Sequence, residues 1–286
     1  MRGPVAARSQ AALLCFGFGY SARALARRLG SDWRVAGTSR QGAEGLHRFD
    51  RQHPLPLDAF EGVTHILVSV PPDAAGDAVL DSHGEDIAAL RGLTWLGYLS
   101  TTGVYGDRGG GWVDETSDLR PSGERGRRRV AAEANWLDLW RRRGVPVHVF
   151  RLAGIYGPGR SPFDALRAGT AKRIDRPAQV FSRIHVDDLA AILLVSMARP
   201  RPGAVYNVCD DAPAAPAEII AHAAALLGIA PPPLVPFAEA ELSAMARSFY
   251  DDNKRVSNAL VKRELGIALQ YPDYRAGLAA ILAAEG

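Results

Sequence analysis

Short apolar runs punctuate the chain at intervals that suit strands alternating with helices. Residues 11–16 form an unbroken apolar run that ends in Gly17-Phe18-Gly19. A helical pattern over 21–29 follows and stops at Gly30. Further strand-like runs occupy 33–37, 64–70, 95–100, 145–152 and 204–208, with helical patterns at 84–90, 130–143 and 188–198 between them. Continuous apolar strands separated by helices predict an α/β fold built on a doubly wound parallel sheet covered on both faces. Ser161-Pro162-Phe163-Asp164 supplies a cap, a proline at the first helical position and an acid in the first turn. Pro216 and Glu218 open another helix that Gly228 closes. Beyond residue 210 the pattern is mostly helical, and the prolines between 231 and 236 read as a loop within a small lobe. Residues 1–10 read as a loose tail, and Asp187 as the cap of a helix starting at Asp188.

Composition narrows the class. With 286 residues, 47% hydrophobic and 23% charged, the chain can bury a large core and is neither collagen-like nor disordered. Cys15 and Cys209 cannot make a disulfide framework or a four-cysteine zinc site, which points to the reducing cytoplasm. The seven histidines show no metal-ligand spacing, so no metal is expected, and His65 and His185 read as structural. The N-terminal apolar run breaks at Gly17 without a cleavage site, which does not suit a signal peptide. No stretch reaches the roughly 18 apolar residues of a membrane span. Net charge is only +3, but Lys172, Lys254 and Lys262 are the lysines and arginine makes up the rest of the 34 basic residues. None of the three lysines stands in a setting for Schiff-base chemistry or a phosphate-binding P-loop.

The chemistry-bearing motif is Gly17-Phe18-Gly19-Tyr20-Ser21-Ala22, a G-x-G-x-x-A turn between a strand and a helix. That context suits a Rossmann-type dinucleotide site. Gly17 would make the tight turn, Gly19 would let the backbone approach a pyrophosphate, and Ala22 would allow close helix packing. Phe18, Tyr20 and Ser21 would line the helix entrance. The alternative is a structural turn without a ligand. The end of the second strand, Val35-Ala36-Gly37-Thr38-Ser39-Arg40, holds no acid to take a ribose 2′-hydroxyl. Ser39 and Arg40 instead suit a 2′-phosphate, so NADP(H) is expected in preference to NAD(H), which stays possible.

Four further segments align in order with one family. Leu99 to Gly106 (LSTTGVYG), Arg151 to Gly159 (RLAGIYGPG), Arg183 to Ala190 (RIHVDDLA) and Tyr206-Asn207-Val208 resemble segments of the extended short-chain dehydrogenases/reductases, the NAD-dependent epimerase/dehydratase family. The resemblance implies a dinucleotide-binding domain over 1–155, rejoined by 185–210, and a small, mostly helical substrate-side lobe over 156–286. It implies a small-molecule substrate, places Asp50 near the adenine, and sets Val70 and Pro71 beside the cofactor. It also exposes a departure. The family's Tyr-x-x-x-Lys pair falls on Arg125 and Arg129, and an arginine does not give up a proton near neutral pH. Thr101 keeps the hydroxyl partner, Arg129 can still hold the ribose or a phosphate, and Tyr105 is the candidate substitute acid/base, its pKa depressed by a nearby arginine. Arg125, Arg129 and Arg160 would favour a phosphorylated or carboxylated substrate.

Three functions are open at this point: an oxidoreductase or epimerase-like enzyme, a non-catalytic NADP(H)-binding regulator or redox sensor, and a nucleic-acid binder. Glu133, Trp136, Asp138 and Trp140 interrupt the basic clusters at 125–129 and 141–143, and no nucleic-acid fold motif appears, so nucleic acid is not an expected partner. A homodimer is possible. Trp112, after Gly109-Gly110-Gly111, would ride on a mobile loop tip able to close on a substrate.

Overall fold

The computed structural model describes residues 10–43 and 45–285. The expected loose tail lies, apart from Gln10, outside the described residues. Seven strands form one sheet: β1 (Ala11–Phe16), β2 (Trp33–Ser39), β3 (His47–Arg48), β4 (His65–Val68), β5 (Trp95–Thr101), β6 (Val147–Leu152) and β7 (Val205–Val208). Their order is β7-β6-β5-β4-β1-β2-β3. β1 runs parallel to both β2 and β4, β2 to β3, and β4 to β5. The strand order therefore reverses between β1 and β4, the switch point beside which doubly wound sheets bind ligands. The helices are α1 (Tyr20–Ala26), α2 (Ala78–Ala89), α3 (Glu124–Arg143), α4 (Pro162–Arg167), α5 (Val186–Ala198), α6 (Pro216–Leu226), α7 (Ala244–Ser248), α8 (Ala259–Leu265) and α9 (Tyr274–Glu285). Among the described residues no helix is long and apolar enough to cross a membrane.

The chain divides into two compact units, 1–99 with 132–149 and 193–204, and 100–131 with 150–192 and 205–286. In the first unit, Leu13, Leu14, Cys15 and Phe16 of β1 and Ile66, Leu67 and Val68 of β4 are buried, with Ala22, Ala24 and Leu25 of α1. Each large apolar side chain removed from water here contributes on the order of 2 kcal/mol. α2 begins six residues before the predicted start. Asp77 caps it, accepting from the Val79 and Leu80 amides, and also accepts from Trp136 Nε1 at 3.0 Å. Its polar Asp81, Ser82 and His83 hid the helix from the hydrophobic pattern. His83 is buried against the rings of Phe16, Phe49 and Phe60, where its Nε2 accepts from the Leu55 amide at 3.0 Å.

In the second unit α4 carries the expected capping box between Ser161 and Asp164. α6 packs with α9 around Ala223, Ala224, Leu278 and Ile281. The helical reading beyond 210 missed short parallel ladders: Leu234–Pro236 against Arg173–Asp175, and Arg255–Val256 against Trp112–Val113. A third joins Arg183–His185 to Gly154–Tyr156. Runs of two or three residues are too short to show a period. α5 starts at Val186, so Asp187 lies inside its first turn and is not the cap. His185 does that work, its Nδ1 accepting from the Asp187 amide at 3.2 Å.

Candidate functional site

In the first unit the glycine turn is pinned from both neighbouring strands. The Gly17 amide donates to Thr38 Oγ1 at the end of β2, 2.9 Å away. Ser69, just past β4, donates to the Gly17 carbonyl at 2.6 Å. Gly17 has a φ of +86°, and a Cβ there would lie 2.6 Å from Ser69 Oγ and 3.3 Å from Val70 Cγ2, so only glycine fits. The Phe18 ring rests on Gly37, where an added Cβ would meet it at 2.6 Å, and the Arg23 guanidinium lies over the ring, 5.1 Å from its centre. Gly19 differs. Its φ of −92° suits any residue, it is exposed, and an added Cβ would meet no protein atom within 4 Å. The chain's own packing gives no reason for glycine at 19, whereas a ligand lying against the backbone does. Tyr20 and Ser21 form the first turn of α1, which carries no acid. The turn thus fits a dinucleotide on the protein side.

β2 ends at Ser39, whose Oγ accepts from the amides of Gly42 and Ala43 and shapes the next loop. Arg40 is exposed directly beyond it. Asp50 is drawn to the same edge, because the Phe49 amide donates to the Ser39 carbonyl at 2.9 Å. The Asp50 carboxylate is engaged by His53 Nδ1 at 2.8 Å and by the Gln52 and His53 amides, and its pKa is lowered, chiefly by the His53 hydrogen bond. Val70 is half-buried beside Gly17, and Pro71 is exposed. Sequence reasoning missed Ser69. Its signal was a hydroxyl inside the apolar run THILVSV.

In the second unit Thr101 caps the one-turn helix Thr102–Tyr105, its Oγ1 accepting from the Gly103 amide at 3.1 Å. The first turn of α3 lies against this turn. A Cβ on Gly126 would come within 2.9 Å of the Gly103 carbonyl and 2.7 Å of Pro121 Cβ. Arg125, beside that glycine, is exposed, and Arg129 is half-buried one turn on. Arg160 is exposed.

Tyr105 corrects an expectation. It is fully buried, donates to Asn207 Oδ1 at 2.7 Å and accepts from Arg151 Nη1 at 2.9 Å. The arginine beside it was foreseen in kind, but the phenol pKa is raised, not depressed. Burial outweighs the favourable charge and hydrogen bond of Arg151. Glu115 accepts from the Asn207 amide at 2.7 Å, and its carboxyl pKa is also raised by burial. Tyr105, Arg151, Asn207 and Glu115 make a buried polar network in which each group holds another, the geometry of a structural brace.

Trp112 is the second correction. Its loop is not a loose tip. The amides of Arg108 and Gly110 both donate to the Asn253 carbonyl at 2.9 Å, and the Asn253 amide returns a bond to Asp107 Oδ1 at 2.8 Å.

No protein-family profile matches the chain. Over 226 residues it is 29% identical to Protein YeeZ of Escherichia coli (strain K12), covering 76% of this chain and 75% of that protein. The structure of a functionally unknown conserved protein from Silicibacter pomeroyi DSS is 52% identical, with a TM-score of 0.89 over 96% of this chain and 99% of that one. The UDP-glucuronic acid 4-epimerase from Bacillus cereus, in complex with UDP-glucuronic acid and NAD, superposes with a TM-score of 0.75 at 15% identity, over 95% and 98% of the two chains. At that identity the likeness is one of fold.

Proposed function

On the premise that this chain belongs to one family with the Silicibacter pomeroyi protein and has the fold of the NAD-dependent epimerases/dehydratases, the extended short-chain dehydrogenase/reductase type, we propose that it binds a nicotinamide dinucleotide at the β1–α1 turn. The observation that carries this reading is Gly19, a glycine that internal packing does not require, set in a turn that Thr38 and Ser69 hold rigid. The fold neighbour from Bacillus cereus is itself a complex with NAD. For this chain NADP(H) is the preferred form, because Ser39 ends β2 and Arg40 follows it, where an acid would select NAD(H). The dinucleotide, once bound, supplies hydride transfer. The protein's own contribution is to hold it on backbone amides and to position a small substrate. Arg125, Arg129 and Arg160 favour a substrate carrying phosphate or carboxylate, and an oxidoreductase or epimerase-like reaction is the leading assignment.

A second reading, a non-catalytic NADP(H)-responsive protein, is favoured by one observation. Tyr105 is sealed in a brace and its phenol holds its proton more tightly than usual. Purified protein is titrated with NADPH and NADH, then screened with NADPH against phosphorylated and carboxylated carbonyl compounds. Turnover that falls by roughly a hundredfold in Thr101→Ala supports the enzyme. Turnover unchanged in both Thr101→Ala and Tyr105→Phe removes those two groups from the chemistry. Tight NADPH binding with no turnover on any compound selects the second reading, and failure to bind either dinucleotide overturns both.

A further inference from the structure

Beside the ladder of Trp112–Val113 and Arg255–Val256 lies an open pocket of about 430 Å³, lined by Trp112, Val113, Asp114, Ser117 and Ser257. Four features make it more than a surface dent. Trp112 is 63% exposed, although tryptophan is costly to leave in water. Its backbone is fixed on both sides of the ladder, the Arg255 amide donating to the Gly111 carbonyl and the Ser257 amide to the Val113 carbonyl, each at 2.9 Å. The adjoining glycine loop is tied down by Asn253, and Arg255 Nη1 donates to the Gly110 carbonyl. The indole is therefore presented on a rigid mount, which lowers the entropy cost of using it as a platform.

The polar side of the pocket is equally fixed. Asp114 Oδ1 accepts from Thr116 Oγ1 at 2.7 Å, the Thr116 amide at 3.0 Å and Ser117 Oγ at 3.2 Å. These bonds, the Thr116 hydroxyl foremost, lower the Asp114 pKa and keep it a carboxylate. Ser117 Oγ, which also accepts from the Asp114 amide at 3.0 Å, offers a remaining lone pair, and Ser257 Oγ, which accepts from the Ala259 amide at 3.3 Å, offers a proton as well.

The lining selects its ligand by elimination. An apolar partner would strand a carboxylate and two hydroxyls against itself, at a desolvation cost. A phosphate or carboxylate would meet the Asp114 charge, so this is not the place for the anionic substrate of the preceding reading. A cation would use the indole, the carboxylate and the serine lone pairs, but it offers no acceptor to the Ser257 hydroxyl proton. A neutral polyhydroxylated ring uses everything: its C–H face lies on the indole, and its hydroxyls donate to Asp114 and Ser117 and both donate to and accept from Ser257. We propose that this pocket is a binding site for the pyranose ring of a neutral carbohydrate. The inference goes beyond the dinucleotide reading and does not rest on it, because every residue named lies within the second unit.

The test titrates the full chain with methyl β-glucopyranoside, methyl α-mannopyranoside, maltose and cellobiose. Tryptophan fluorescence and saturation-transfer NMR are the readouts, with tetramethylammonium chloride and inorganic phosphate as the rival probes. Saturable binding of at least one sugar is expected, with Kd raised about tenfold or more in Trp112→Ala. Asp114→Asn weakens it as well, Trp112→Phe keeps part of it, and excess NADPH does not displace the sugar. If Trp112→Ala does not fold, the other two variants carry the same comparison. Absence of saturable binding by all four sugars overturns the proposal. So does sugar binding indifferent to Trp112→Ala and Asp114→Asn, or saturable binding of tetramethylammonium alone.

Discussion

At the scale of single residues, glycines separate what the fold needs from what a ligand needs. Gly106 has a φ of +67°, and a Cβ there would sit 1.8 Å from the Arg120 carbonyl oxygen. Gly106→Ala is therefore expected to cost about 2 kcal/mol or more in urea denaturation. Gly19→Ala, which meets nothing, is expected to stay within about 0.5 kcal/mol of the parent while weakening dinucleotide binding. A Gly19→Ala variant with unchanged affinity would sever the turn from the cofactor. Buried charge gives the second residue-level prediction. Asp210 is 1% exposed, and burial raises its pKa to about 7, against a partial offset from Arg183. Between the ordinary carboxyl value of 3.8 and about 7 the folded chain keeps a proton that the unfolded chain has lost. Stability from this group is therefore full at low pH and declines as pH rises to about 7, then levels off. Asp210→Asn removes the titration, so parent stability minus variant stability should fall by on the order of 2 kcal/mol from pH 5 to pH 8. A difference independent of pH would show that Asp210 does not titrate there. The tight turn at Gly17 was legible because such a turn is local in sequence. The state of Tyr105 was not, since Arg151, Asn207 and Glu115 reach it from distant segments.

Elements were legible in proportion to how much of their signal is their own. β1 matches its apolar run residue for residue, and α4 matches its box of Ser161, Pro162 and Asp164. α3 was read from residue 130 because six residues of arginine, glycine and glutamate carry no apolar period. It begins at Glu124, which pairs with Arg127 at 3.0 Å and Arg128 at 3.1 Å one turn on. Such exposed pairs add only a few tenths of a kcal/mol each. In that first turn Gly126 comes close to the Gly103 turn, a tertiary contact that no apolar period announces. α5 shows the same limit. Its Asp188 carboxylate reads as an ordinary first-turn acid, yet it accepts from the amides of Gln270 at 2.8 Å and Tyr271 at 2.9 Å, ahead of α9. Losing a buried, charged acceptor of two amides leaves both unsatisfied, so Asp188→Ala is expected to cost about 3 kcal/mol. Ser161→Ala, which removes one half-buried cap, should cost about 1 kcal/mol. Equal losses in the two variants, measured by denaturant midpoint, would mean that the two amide bonds to Asp188 contribute no more than a single cap does.

For the whole molecule, the doubly wound parallel sheet was legible in the alternation of apolar runs and helical patterns, because short βα units leave few connections to choose from. What that pattern could not supply is the 2′ group of the proposed dinucleotide, and here the chain offers a measurement that needs no substrate. A ligand that binds the folded state alone stabilises it by RT ln(1 + [L]/Kd), about 2.7 kcal/mol at a hundredfold excess over Kd. For a chain of this size that corresponds to a rise in Tm of about 5 °C or more. NADPH at a fixed concentration should therefore raise Tm more than NADH does. The gap should close in Arg40→Ala, because a guanidinium on the 2′-phosphate contributes to one ligand and not the other. Arg40 is exposed, so its removal leaves the unliganded Tm in place and the comparison stays clean. Equal shifts by the two dinucleotides in the parent chain would overturn the NADP(H) preference. A gap that persists in Arg40→Ala would instead move it to another group at the β2 end, with Ser39 the next to replace.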